Sequence, residues 1–224
     1  MHLFGLNISQ LLISLWHGSI DHAHNNDPTT WPFAILHNNE IWQAHGASVM
    51  GAGLYLPVCL DSRVPRNPVK KIFSGYKAVE YLVYVFGLCP ILLYCLLPQK
   101  FYYHFYKLVF ATCIIHWHHK LKDDLLAAHK VFLEFVYEFK ILYYKHDLAR
   151  LHFIQLYIHA LTHIVPKHFH VGSLTELSQW TMERTIGNLN EEIRLHSDPY
   201  ANLSQRVIER AHTNALYTLA PDLF

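Results

Sequence analysis

Residues 101–145 read FYYHFYKLVFATCIIHWHHKLKDDLLAAHKVFLEFVYEFKILYYK, and this stretch decides the fold class. It divides into one helix over Phe101 to His118 and another over Asp123 to Lys145. In the second, Leu125, Phe132, Phe135, Phe139 and Leu142 recur every three or four residues, the period of a single helix face. Asp123 and Asp124 open it, where negative charge suits the helix dipole.

Working outward, the same period continues. Leu148 to Val165 reads as a further helix ended by Pro166. Ser173-Leu-Thr-Glu176 has the form of a capping box, which predicts a helix from Leu174 carrying Trp180, Met182, Glu183 and Arg184. A last helix is expected over Leu203 to Leu219. On the N-terminal side, Ile8, Leu11, Leu12 and Leu15 share a helical face, and a short helical stretch covers about Ala34 to Met50. Residues 17–33, HGSIDHAHNNDPTTWPF, are rich in turn formers and read as a loop. Pro57, Asp61, Pro65, Asn67 and Pro68 mark a second irregular segment. No long strand and no internal repeat asserts itself. The chain is therefore expected to be mostly α, with an N-terminal helix and irregular basic segment over 1–75, a helical region over 76–166 and C-terminal helices over 167–224.

Composition narrows the function classes. Of 224 residues 52% are hydrophobic and 16% charged, against a usual charged share of about 25%. Such a chain buries a core and is not disordered. Eighteen Lys and Arg against seventeen Asp and Glu leave a net charge of +1, so no global field recruits nucleic acid and any basic site must be local. One such cluster exists, Arg63, Arg66, Lys70, Lys71 and Lys77, with no acid between Asp61 and Glu80. It can lie along a phosphate backbone or be an ordinary solvated loop. Four cysteines, Cys59, Cys89, Cys95 and Cys113, stand singly in apolar surroundings without C-x-x-C spacing, which predicts buried free thiols.

Two segments raise the question of a membrane. Residues 1–16 are apolar but carry no cation before the apolar stretch, so a buried helix is preferred over a signal peptide. Residues 81–99, YLVYVFGLCPILLYCLLPQ, form nineteen residues without a charge, long enough to span a bilayer. Gly87 and Pro90 interrupt the centre, and two short buried helices broken at Gly87-Leu88-Cys89-Pro90 explain the run equally well. A membrane partner is not expected.

Nineteen histidines invite a metal reading. His116, His118 and His119 in HWHHK resemble the His boxes of membrane di-iron oxygenases, but the spacing H-x-H-H differs from theirs. A membrane His-rich metal-dependent oxidoreductase is the alternative function kept on these grounds. His159 and His163, four apart, share a helix face with His152 two turns earlier, and such a pair can bind a metal. Ala160 stands where an H-E-x-x-H site has its glutamate. Partly buried polar groups on amphipathic helices are the competing and weightier account of each cluster. Glu183, between Met182 and Arg184, is a carboxylate in a mostly apolar neighbourhood, which is costly unless Arg184, Arg194 or a cation pairs it.

SQWTMERTIGNLNEEIR, followed by DPYANLSQRVIERAHTNAL, resembles the C-terminal signature of the CACTA-type transposases of basidiomycete fungi, relatives of the plant En/Spm transposases in which a similar M-x-P-x-E-R motif occurs. IHALTHIVPKHFHVGSLTELSQW, YLPVCLDSRVPRNPVKKIFSGYKAVEYLVYVFGLCP and LNISQLLISLWHGSIDHAHNNDPTTWPFAIL are similar to successive upstream parts of that family. The resemblance covers nearly the whole chain.

It implies a DDE transposase, in which a ribonuclease-H-like fold gathers two Asp and one Glu around two Mg²⁺ ions for strand cleavage and transfer. By the motif, Glu183 is the third catalytic, metal-binding carboxylate and His2 the His of D-x-M-H. His159 and His163 lie near that centre, and Arg63, Arg66, Lys70, Lys71 and Arg184 are phosphate contacts on DNA. The chain opens at the Met of D-x-M-H, and Asp21, Asp27 and Asp61 match no metal position. The expectation is thus a helical insertion and C-terminal helices of an incomplete fold. Such a chain, a truncated remnant, is inactive alone and at most binds DNA, a full transposase or a second copy. It would hold no Mg²⁺ by itself and would locate to the nucleus. Helical faces made to cover a sheet are expected to stay partly uncovered.

Overall fold

Leu3 to His17 forms the central rod. A wide π turn, Leu3–Ile8, passes directly into α1 (Ser9–His17). The buried Ser9 Oγ donates to the Phe4 carbonyl at 2.6 Å, one of the groups that the wider turn leaves short of a regular partner. Ile8, Leu11, Leu12, Ile13, Leu15 and Trp16 are all buried, so the rod is enclosed on most sides and not along one stripe alone. Gly18 ends it at φ +73°, a left-handed conformation that costs glycine least.

In the computed structural model, residues 2–22, 26–56, 65–72, 74–117, 119–173, 182, 185–188, 191 and 198–220 are described. The chain is mostly helical, 79%, and no strand occurs among the described residues, which establishes the α class. It forms two compact units, residues 1–177 and 178–224.

In the first unit, a loop containing a 3₁₀ turn at Pro28–Thr30 leads to α2 (Asn39–Ala52), whose cap Asn38 accepts from the Glu40 and Ile41 N–H groups. Gly46 lets α3 (Pro68–Lys71) approach closely: a Cβ there would come within 2.4 Å of the Val69 side chain. α4 (Ala78–Tyr81) runs on through a π segment, Leu82–Leu88, into α5 (Cys89–Leu92). Pro90 sits in the first turn of α5, directly after the π segment. The uncharged run 81–99 is thus two helical registers joined at Leu88, then a turn over 93–97. No described helix is long and apolar enough to cross a membrane.

α6 (Gln99–His116) and α7 (Lys122–Phe139) form an antiparallel hairpin that extends through a π turn, Lys140–Tyr144. Lys120 closes the end of α6 by donating to the Ile115 and Trp117 carbonyls, a cation where the helix dipole is negative. Asp124 accepts from the Leu121 N–H and starts α7. The rod packs into the hairpin: Trp16 meets the Phe105 ring edge-on with centroids 4.9 Å apart, and its indole N–H points at the Tyr143 hydroxyl, 3.4 Å away.

Beyond the hairpin the structure departs from the expected single helix over Leu148 to Val165. A 3₁₀ stretch (Leu148–Phe153) is followed by α8 (Leu156–Ala160), a 3₁₀ turn (Leu161–His163) and α9 (Ile164–Val171). Pro166 lies in the first turn of α9 and ends nothing, because the first turn of a helix needs no N–H from it. Cys89 is buried and free as expected, whereas Cys95 and Cys113 are free but exposed. Cys59 and the capping box at 173–176, beyond Ser173, lie outside the described residues.

In the second unit, α10 (Pro199–Leu219) starts four residues before the expected Leu203. Asp198 caps it by accepting from the Ala201 N–H, and Pro199 takes the first helical position. None of its residues is buried.

Candidate functional site

Glu183, Arg184, Arg63 and His118 lie outside the described residues. The other named residues fall in two places. His2 is exposed and immediately precedes the π turn Leu3–Ile8, which packs against α8, the helix that carries His159. His159 and His163 are brought together: their Nε2 atoms stand 3.1 Å apart and their rings meet edge to face with centroids 4.9 Å apart. Both are exposed. His152 does not join them; it is engaged with the Asp21 carbonyl.

The basic segment divides by role. Arg66 is clamped on Glu80, with Nε and Nη2 each donating to one carboxylate oxygen at 2.7 Å. Nη2 also donates to the Gly75 carbonyl, and the guanidinium lies over the Tyr76 ring at 5.8 Å. Glu80, whose side chain is only 1% exposed, further accepts from the Lys77 and Arg66 backbone N–H groups. Burial alone would raise its carboxyl pKa, but these bonds outweigh burial and hold it below the usual value. This buried carboxylate locks the segment around Arg66 to the start of α4. Lys70 and Lys71 are different. Both are exposed on α3 and make no ion pair among the described residues.

Sequence reading missed three buried polar centres, at His104, at His45 and, last, at Asn26. His104, within the hairpin, is stacked on Phe135 at 4.1 Å and its Nε2 meets the Phe135 carbonyl at 3.0 Å. His45 on α2 bonds the buried Tyr84 hydroxyl at 2.8 Å. Burial drives both imidazoles down to about 4, so they are neutral near pH 7. The third centre is Asn26. Its Oδ1 accepts from the Trp31 indole N–H at 2.8 Å and from Arg150 Nε and Nη2 at 3.0 and 2.8 Å.

What these groups can do chemically is limited. A cleft of about 320 Å³ lined by Gln10, Ile13, Ser14, Ile72, Tyr76 and Tyr81 is the most polar of those described. Its two phenols already donate to the Arg66 and Ile72 carbonyls. Among the described residues no three His, Cys, Asp or Glu side chains gather, so these residues do not by themselves make the oxygen-rich cage that Mg²⁺ needs. No catalytic step is derived through that ion.

The most prominent surface feature lies on α6. Tyr103, Tyr106, Phe110 and Cys113 on the helix and Trp117 just past its end, spaced alternately three and four apart, are all exposed and none is charged. Phe110 is 44% exposed and Tyr103 56%, on a helix whose opposite face, with Phe101, Phe105, Leu108 and Ile115, is buried. Side by side at this spacing they form an exposed, largely aromatic ridge along the helix. No protein-family model, curated protein or solved structure matches the chain.

Proposed function

We propose that the chain is a helical assembly unit of the DDE-transposase class, acting by association with another chain of that class, a second copy included, and not by cutting DNA itself. The observation that carries this reading is the exposed aromatic ridge of α6. Its three-four spacing suits a partner helix, and its lack of charge suits burial. The transposase assignment itself rests on the motifs quoted from the sequence. In this reading the helices belong with a ribonuclease-H-like sheet and Glu183 is the third carboxylate. His2, His159 and His163 stand near that centre, and the setting is the nucleus.

Sedimentation velocity tests the contact. The chain is expected to self-associate at micromolar concentration, and Phe110→Glu to weaken that association roughly tenfold or more, because it would bury an unpaired charge. A chain that stays monomeric at every concentration removes self-association, and a Phe110→Glu chain that associates as before removes the α6 ridge as the contact.

A second reading, direct contact with DNA, is favoured by one observation: Lys70 and Lys71 are exposed on α3 and make no ion pair among the described residues. Retardation of a DNA duplex at low salt is expected to weaken roughly tenfold when both become Glu, since each reversal turns a phosphate attraction into a repulsion. Absence of retardation by the unaltered chain at low salt removes this reading without touching the first. Arg66 is not a suitable probe, because its bond to Glu80 makes its loss structural.

A further inference from the structure

We infer that His159 and His163 form a two-imidazole chelate for a borderline divalent cation of the Zn²⁺, Ni²⁺ and Cu²⁺ class. Three features of the pair carry this. First, the same-name nitrogens face each other: both rings present Nε2 at a separation of 3.1 Å. The remote nitrogen of each ring can then hold the proton, leaving both Nε2 lone pairs for one ion.

Second, the separation matches what shared coordination demands. Metal–imidazole bonds are about 2.0–2.1 Å long. Two such bonds at a right angle place the nitrogens about 2.9 Å apart, and at a tetrahedral angle about 3.3–3.4 Å apart. The observed 3.1 Å lies between these, so an ion can enter with little movement of either ring.

Third, the backbone holds the pair in register. His159 ends its α8 turn and His163 closes the 3₁₀ turn Leu161–His163, while Ile158, Leu161, Ile164 and Val165 anchor the opposite face in the core. The Thr162 hydroxyl donates to the His159 carbonyl and ties the intervening turn. The imidazoles themselves are exposed, so an ion reaches them from solvent and water completes its shell.

The donor set selects the metal. Imidazole suits late first-row cations, whereas Mg²⁺ takes oxygen ligands and gives up its water reluctantly. This site is therefore distinct in chemistry from the Mg²⁺ centre that the transposase resemblance implies, and it stands whether or not the assembly reading does.

Calorimetric titration of the full chain with ZnCl₂ at pH 7.5 tests it. One equivalent is expected to bind at this site, with affinity falling roughly tenfold or more in His159→Ala and in His163→Ala, as a chelate becomes a single ligand. MgCl₂ is expected to give no comparable binding. Unchanged Zn²⁺ affinity and stoichiometry in both variants overturn the proposal. Carbethoxylation of the unaltered chain, mapped by peptide mass, gives an answer independent of the variants' folding. Zn²⁺ is expected to protect both His159 and His163, and equal labelling of both with and without Zn²⁺ overturns the chelate.

Discussion

Between pH 7.5 and pH 5 the first unit is expected to lose about 4 kcal/mol of folding stability, through His104 and His45 together. Each ring has an ordinary pKa of 6.5 when unfolded and about 4 when folded, lowered by burial. The sign follows from proton uptake. Above pH 6.5 both states are neutral and the folded state carries no penalty. Below it the unfolded chain takes up protons that the folded chain refuses, so stability falls steadily from pH 6.5 to about pH 4. At pH 5 the difference comes to about 2 kcal/mol per ring. Burial also lowers His17, His116 and His168, which act in the same direction. Glu80, held below its ordinary value, adds a loss only as pH falls further.

Urea unfolding at pH 7.5, 6 and 5 reads this directly. His104→Phe keeps the stack on Phe135, gives up the bond to the Phe135 carbonyl and removes one titrating ring, so it is expected to cost about 1 kcal/mol at pH 7.5 and to flatten the pH dependence by about half. The same stability at pH 7.5 and pH 5, or a His104→Phe chain with an unaltered slope, contradicts the account. The His104 ring lies against Phe135, Phe139 and Tyr143, and its Nδ1 has no partner among the described residues.

The second large effect is expected at Asn26. Its single carbonyl oxygen receives three N–H donors, two of them from a buried arginine 124 positions away. Asn26→Leu removes that oxygen and leaves the Trp31 indole N–H and part of a buried guanidinium without an acceptor, at a cost of about 3–5 kcal/mol. Asn26→Asp is expected to do the opposite. Among the described residues the Asn26 Nδ2 and Arg150 Nη1 are both buried donors without a partner, and an aspartate replaces the first with an acceptor that carries the complementary charge. Stability at pH 7.5 should therefore be retained or increased in Asn26→Asp, and the gain lost as the new carboxyl is protonated in acid. Thermal unfolding of both variants checks the pair of outcomes. If Asn26→Leu is as stable as the parent, the cluster is not the anchor it is described to be.

The helical hairpin was legible from Phe101 to Lys145 because its apolar period is strong and local. The aromatic residues at 132, 135 and 139 have one way to be buried together. The π segments were not legible, since a π turn and an α turn present nearly the same pattern and differ by one backbone bond. Nor was the course of 148–171. Pro166 looked like a terminus because sequence shows that proline lacks an N–H, but not whether the surrounding turn requires one. The basic segment was visible as charge, yet its division among the described cations was not: the buried Glu80 holds the Arg66 guanidinium while Lys70 and Lys71 stay exposed, which spacing does not reveal. The His159–His163 pair was visible as a spacing of four, while the 3.1 Å meeting of like nitrogens needed coordinates.

By itself, the sequence determined the mostly α class, the long hairpin and its burial of aromatic side chains, because helical periodicity is a property of neighbours within two turns. It also determined that charge is scarce and therefore local. Only the tertiary structure decided which polar groups are sealed in the core and which cations remain free. It alone showed that the outer edge of α6 is an uncovered aromatic ridge. Those outcomes depend on partners from 14 to 127 residues apart, such as Arg66 with Glu80 and Trp16 with Tyr143, and on the withdrawal of water that follows when they meet.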